Sequence, residues 1–177
     1  MKTIYHGLDL NEFEFNDSPQ NHLIYFGRVL EDKGVDIAIE AALNSNIPIR
    51  IATSNIKANR GAKFYNEKIA PHIDNKNVFL DGFLLGKEKS DFIKKGKAFV
   101  FPLRWDEPFG LTMIEAMACG TPVIAYNRGS VPEIVRDGLT GFIIEPDDST
   151  LDSRWVIKKK GMAGLEEAIK RIGEIDR

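Results

Sequence analysis

The sequence predicts an α/β fold, a Rossmann-like doubly wound parallel sheet of six strands with helices on both faces. Short apolar runs rich in Val, Ile and Phe alternate with amphipathic stretches at helical spacing, and turn residues separate them. That alternation is the βαβ pattern of a sheet covered on both sides. Of the 177 residues, 43% are apolar and 28% charged, as in an ordinary globular domain. A chain of this length buries roughly 70% of its unfolded surface, so its core needs no disulfide or structural metal.

The elements follow in order. Leu23 to Phe26 is the first strand, followed by the turn-like GRVLEDKG and a helix from Val35 to Asn44, where Val35, Ala38, Ile39 and Ala42 share a face. Ile49 to Ala52 is the second strand. A polar loop and a short helix over Lys63 to Ile69 come next, with Pro71 expected to stop the helix. Val78 to Leu80 is the third strand, DGFLLG a turn, and Lys87 to Lys95 a helix. Ala98 to Phe101 is the fourth strand, and the helix Leu111 to Cys119 ends at Gly120 with Pro122 close behind. Val123 to Tyr126 is the fifth strand. Ser130 and Glu133 have the spacing of a capping box, which predicts a short helix with Ser130 as its cap. Phe142 to Ile144 is the last strand, and a helix runs from about Ala163 to Ile172. Three segments result: a lead-in over 1–20, packed on the domain, a ligand-binding body over 21–150 and a C-terminal helical segment over 151–177.

Charge narrows the partners. The 24 Lys and Arg nearly balance the 26 Asp and Glu, so no global field recruits nucleic acid or an anionic membrane. The N-terminus lacks the apolar core and cleavage site of a secretory signal, and no apolar run reaches the roughly 18 residues of a spanning helix. With Cys119 the only cysteine, the expected compartment is the cytoplasm. His6, His22 and His72 show no ligand spacing and read as surface or satisfied histidines. Cys119 reads as a small packed hydrophobe, Ser54 and Ser130 lack any nucleophile context, and Lys158 to Lys160 read as a solvated face.

In doubly wound sheets ligands bind outside the carboxyl ends of the strands, which directs attention to two loops. After the first strand come Gly27, Arg28, Lys33 and Gly34. A glycine that admits close backbone approach and two cations feeding a helix N-terminus suit a phosphate. Equally, Arg28 and Lys33 could balance Glu31 and Asp32 on a solvated turn. Neither a dinucleotide fingerprint nor a nucleoside triphosphate loop is present. After the fourth strand, Glu107 and Glu115 stand with seven residues between them, around Pro108-Phe109-Gly110. Glu115 lies on a helix of Leu111, Ile114, Ala116, Met117 and Ala118, which reads as buried nearly all round. A carboxylate there needs donors. Paired sugar hydroxyls would serve, and so would a structural ion pair with an internal Arg or Lys. Glu107 suits a helix N-terminus, by the dipole alone or as a ligand contact.

Together these segments resemble the C-terminal domain of a family 4 retaining glycosyltransferase, one half of a GT-B fold. The resemblance runs from about Ile4 to Pro146 through IYHGLDLNEF, GRVLEDKG, EPFGL…EAMACGTPVIA, GSVPEIV and DGLTGFII. It implies that Arg28 and Lys33 hold a donor diphosphate, with Gly27 beside them, and that Glu115 accepts from ribose hydroxyls. Glu107 would contact the transferred sugar. The amides of Phe109, Gly110 and Leu111, with Thr112 next to them, would meet sugar and diphosphate, and Phe83 and Leu84 would flank the nucleobase. Glu107, Arg28 and Lys33 are the catalytic expectation. The donor is a UDP-sugar or GDP-sugar, and family members generally need no metal or other cofactor. The acceptor is a sugar, lipid or small molecule. The N-terminal domain that supplies most of the acceptor site is expected to be absent, residues 1–20 being a linker to it. The chain alone would then bind donor without transferring, and the longer enzyme could touch a membrane peripherally. Other readings are a noncatalytic nucleotide-sugar-binding module or half of a split enzyme.

Overall fold

In the computed structural model, which describes residues 4–53 and 61–177, six parallel strands form one sheet in the order β3-β2-β1-β4-β5-β6. The strands are β1 (Leu23–Phe26), β2 (Ile49–Ala52), β3 (Val78–Gly82), β4 (Phe99–Phe101), β5 (Val123–Tyr126) and β6 (Gly141–Ile144). The helices are α1 (Val35–Asn44), α2 (Ala62–Phe64), α3 (Gly86–Lys95), α4 (Leu111–Ala118), α5 (Val131–Ile134) and α6 (Gly161–Arg171). The predicted architecture is therefore the observed one. Strand order reverses between β1 and β4, which pair through Ile24 and Phe99. At such a switch point the two flanking loops leave in opposite directions and open a crevice.

Right-handed crossovers put α3 and α4 on one face of the sheet and α1 on the other, where α6 packs against it. Every residue of β1, β4, β5 and β6 is buried, which explains why these strands read as continuous apolar runs. Aromatic rings fill the centre: Phe26 and Phe99 lie 4.4 Å apart between centroids, and Phe99 and Phe101 4.9 Å.

Several boundaries differ from expectation. Strand β3 continues through Asp81 to Gly82, and Ala98 falls outside β4. The helix expected over 63–69 begins as α2, widens to a π-helical stretch over Tyr65–Ile69 and tightens to a 3₁₀ turn over Ala70–His72. The α and π stretch ends at Ile69, as expected, and Pro71 sits in the separate 3₁₀ turn at a position where its missing N–H is harmless. The capping box fails. Ser130 has helical backbone angles (φ −75°, ψ −7°), makes no side-chain cap and donates its hydroxyl to the Phe109 carbonyl at 2.9 Å. Helix α4 is less enclosed than predicted: Met113, Glu115 and Ala116 are buried while Leu111 is exposed. The Lys158–Lys160 run is not wholly solvated, because Lys160 is half-buried and its ammonium donates to the Ser149 carbonyl. Ser54 lies outside the described residues.

The lead-in lies along α3 and the C-terminal end of α4. Phe13 packs on the core, the Glu14 amide donates to Ser90 Oγ at 3.1 Å, and the Asn16 amide donates to the Cys119 carbonyl at 3.2 Å. At the other terminus, Arg177 donates to the carbonyls of Gly120 (2.6 Å), Gly96 (3.0 Å) and Lys94 (3.3 Å) and to Thr121 Oγ1 (2.8 Å). One guanidinium thus serves the ends of α3 and α4. Among the described residues no helix is long and apolar enough to cross a membrane.

Candidate functional site

The two loops singled out in the sequence meet at the switch point. Tyr25 is buried with its hydroxyl 3.2 Å from the Arg28 carbonyl and 3.4 Å from that of Lys33. Burial raises its pKa, so it stays a donor and holds the β1 loop in place. Gly34 closes that loop in the left-handed region (φ 70°), and a Cβ there would stand 2.0 Å from the Pro102 carbonyl oxygen. Only glycine fits. Arg104, just past β4, donates from its amide to the Asp32 carbonyl (2.9 Å) and from its guanidinium to the Glu31 carbonyl (2.6 Å) and to both Asp36 oxygens (2.8 and 2.6 Å). It fastens one loop to the other, and Asp36 holds its pKa above the ordinary value.

Lys33 is buried, its ammonium 2.6 Å from Glu107 Oε2 and 4.3 Å from the centroid of Trp105. It does not pair with Glu31 or Asp32 across the turn. Arg28 is exposed, and its guanidinium has no hydrogen bond or ion pair among the described residues. Gly110 (φ 76°) turns the chain into α4 where a Cβ would meet Met113 Cε at 2.3 Å. No acceptor among the described residues takes up the amides of Phe109, Gly110 and Leu111. They stand at the N-terminus of α4, where unmet amides favour anions.

Glu115 is buried with 9% of its surface exposed. Its Oε1 accepts from Lys89 Nζ at 2.6 Å, while Oε2 is buried and has no partner among the described residues. The ion-pair reading therefore accounts for one carboxylate oxygen and leaves the other needing a donor. An unmet buried acceptor of this kind costs about 1–3 kcal/mol.

Two clefts join here. The larger, about 380 Å³, is lined by Arg28, Lys33, Glu107, Phe109, Leu111 and His6 among others. The smaller, about 220 Å³, is lined by Phe83, Leu84, Leu85, Lys89 and Thr53 among others. Gly27, Arg28 and Thr112 border both. To the shared Arg28, the larger adds the paired Lys33 and Glu107, and the smaller adds Lys89 beside the apolar Phe83, Leu84 and Leu85, a combination that suits an anion with an apolar part. All the sequence-predicted residues assemble here except that Glu115 reaches the walls through Lys89. The sequence reading missed four others. His6 looked incidental, yet its ring packs edge-on against Phe109 with centroids 5.1 Å apart and lines the larger cleft. Lys89 and Arg104 act through contacts distant in sequence, for which a single sequence carries no signal, and Tyr25 acts through carbonyls three and eight residues further along its own loop. Among the described residues no group of three or more His, Cys, Asp or Glu could hold a metal ion.

Residues 9–172 match the family of group 1 glycosyl transferases. The chain belongs to that family. Its relatives include an uncharacterized glycosyltransferase of Methanocaldococcus jannaschii, 29% identical over 175 residues, covering 97% of this chain and 46% of the relative. An Anabaena protein solved in complex with UDP and glucose shares the fold with a TM-score of 0.75 at 22% identity, over 96% of this chain and 46% of that one. The C-terminal domain of a group 1 glycosyl transferase from Francisella tularensis matches with a TM-score of 0.68 at 21% identity, over 94% of this chain and 87% of that domain. The chain spans less than half the length of the curated relatives it matches.

Proposed function

We propose that this chain is the donor-binding half of a retaining glycosyltransferase that moves a sugar from a nucleoside diphosphate to an acceptor hydroxyl. The observation that carries the reading is Glu115 Oε2, a buried acceptor without a donor among the described residues, behind the Lys89 that lines the smaller cleft. Ribose hydroxyls supply that donor. Arg28 forks onto the diphosphate, Lys33 adds a point charge, and the free amides of Phe109, Gly110 and Leu111 complete the cradle. Phe83 and Leu84 flank the base, and Glu107 takes the hydroxyls of the sugar. A neighbour of the same fold holding UDP and glucose supports this class of ligand.

In the reaction, the bond between the anomeric carbon and the diphosphate oxygen breaks as the acceptor oxygen bonds to the same face. The acceptor proton passes to the departing phosphate. Arg28 and Lys33 stabilise the charge that grows on that phosphate, the part Mg²⁺ plays elsewhere. The acceptor site lies largely outside these residues, so the chain alone binds donor and transfers nothing. Calorimetric titration with UDP, GDP, ADP and their sugars tests the proposal: at least one binds, and Arg28→Ala and Lys33→Ala each weaken it. A chain that binds none of them sinks the reading.

A further inference from the structure

Ser130 and Glu133 have the spacing of a capping box and do not form one. The Ser130 hydroxyl is spent on the Phe109 carbonyl, and its amide donates to the Glu107 carbonyl at 2.8 Å. Glu133 has nothing to reach back to. Its carboxylate is exposed and has no hydrogen bond or ion pair among the described residues. It borders a separate cavity of about 340 Å³ lined by Tyr5, Pro108, Phe109, Ser130, Glu133 and Ile134, a volume within the range of about 300–1,000 Å³ typical of small-molecule sites.

Phe109 is the partition between this cavity and the larger cleft. Consecutive lead-in residues straddle its ring. His6 packs edge-on from the cleft side, and Tyr5 lies on the other side with centroids 6.3 Å apart and planes inclined by 32°. The wall is fixed before any ligand arrives: the two Ser130 bonds hold Glu107 and Phe109, and the Gly129 amide donates to Asp106 Oδ1 at 3.1 Å. Such preorganisation lowers the cost of binding.

We propose that this cavity is a second saccharide subsite, on the acceptor side of the partition; the assignment to the acceptor rests on the function proposed above. Its chemistry is opposite to that of the cleft. Among the described residues no Lys, Arg or His lines it, and the one charge they bring to it is a carboxylate, which disfavours a phosphate. A neutral sugar ring presents a C–H face to Tyr5 and Phe109 and hydroxyl donors to Glu133, and a hydrogen bond to a charged acceptor is stronger than one between neutral groups.

The test is saturation-transfer NMR on the 177-residue chain with methyl β-D-glucopyranoside, methyl β-D-galactopyranoside and methyl α-D-mannopyranoside. Each is added with the donor cleft filled by whichever of UDP-glucose or GDP-mannose binds. At least one glycoside receives saturation from aromatic protons while donor is bound. Tyr5→Ala and Glu133→Gln, both at exposed positions, each weaken it at least fivefold and leave donor affinity within twofold. No transfer to any glycoside, transfer unaffected by both substitutions, or binding of tetramethylammonium in place of the glycosides overturns the proposal. Lys33→Met separates the two readings. If it leaves donor affinity unchanged, the donor cleft is misassigned, whereas glycoside binding that depends on Tyr5 and Glu133 still establishes the subsite.

Discussion

Removing the acceptor at Glu115 gives the sharpest test of the proposed donor site. The unpartnered Oε2 lies beside an Oε1 already held by Lys89 at 2.6 Å, so in the proposed reading a ribose hydroxyl would meet a fixed, charged acceptor. A hydrogen bond to a charged group contributes about 1.5–3 kcal/mol, which is roughly a 10- to 150-fold change in Kd. The measurement is a cycle: UDP and 2′,3′-dideoxy-UDP titrated calorimetrically into the wild type and Glu115→Met. Methionine keeps an unbranched side chain among apolar neighbours and offers no comparable acceptor. Lys89 loses its partner but is 28% exposed along its side chain, so its ammonium reaches water and the fold survives. The wild type should lose roughly 10- to 150-fold on losing the ribose hydroxyls, and Glu115→Met no more than about twofold. An equal hydroxyl penalty in both proteins, or none in the wild type, would refute the reasoning.

Other consequences are open to measurement. Arg177→Ala strips four hydrogen bonds from the ends of α3 and α4; a loss of about 2–3 kcal/mol should lower Tm by about 4–12 °C, and an unchanged Tm would mean those carbonyls are satisfied by water. Gly34→Ala places a Cβ in the left-handed region, at about 1–2 kcal/mol, and against the Pro102 carbonyl 2.0 Å away, so both Tm and donor affinity should fall. Wild-type affinity in that variant would show that the β1 loop does not position Lys33. Burial and nearby Arg50 hold the His22 pKa below 6.5, so the unfolded chain takes up that proton first and stability drops as pH falls through 6.5. The decline in Tm between pH 7.5 and 5.5 should be smaller in His22→Gln, and identical slopes would remove His22 as its cause.

The strands were legible because each is a short, largely apolar run between turn residues, and in β1, β4, β5 and β6 burial on both faces leaves no alternation to confuse. Glu107 and Glu115 were legible as unusual because one precedes a Pro-Phe-Gly turn and the other interrupts an apolar helix. Their partners were not. Lys33 is 74 residues from Glu107 and Lys89 is 26 from Glu115, distances that only the fold closes. His6 carried no signal because its role depends on the lead-in turning back onto Phe109. The capping box misled for a different reason: spacing records which bonds are possible, and Phe109 competed successfully for the Ser130 hydroxyl. The helix over 63–69 was placed correctly, but its π and 3₁₀ turns depend on local packing that periodicity does not encode.

The pairing of Lys33 with Glu107 bears on how a product would leave. In the free cleft each neutralises the other at 2.6 Å. In the proposed reading an intact nucleotide sugar would separate them at little cost, its phosphate taking the lysine while its sugar hydroxyls take the carboxylate. A nucleoside diphosphate stripped of its sugar offers only the first exchange and leaves Glu107 without a donor. In the proposed reaction, transfer of the sugar therefore restores the competition, and Glu107 can reclaim Lys33 and loosen the spent nucleotide. The contact that screens the empty cleft would also drive turnover, favouring substrate over product without any moving part beyond two side chains.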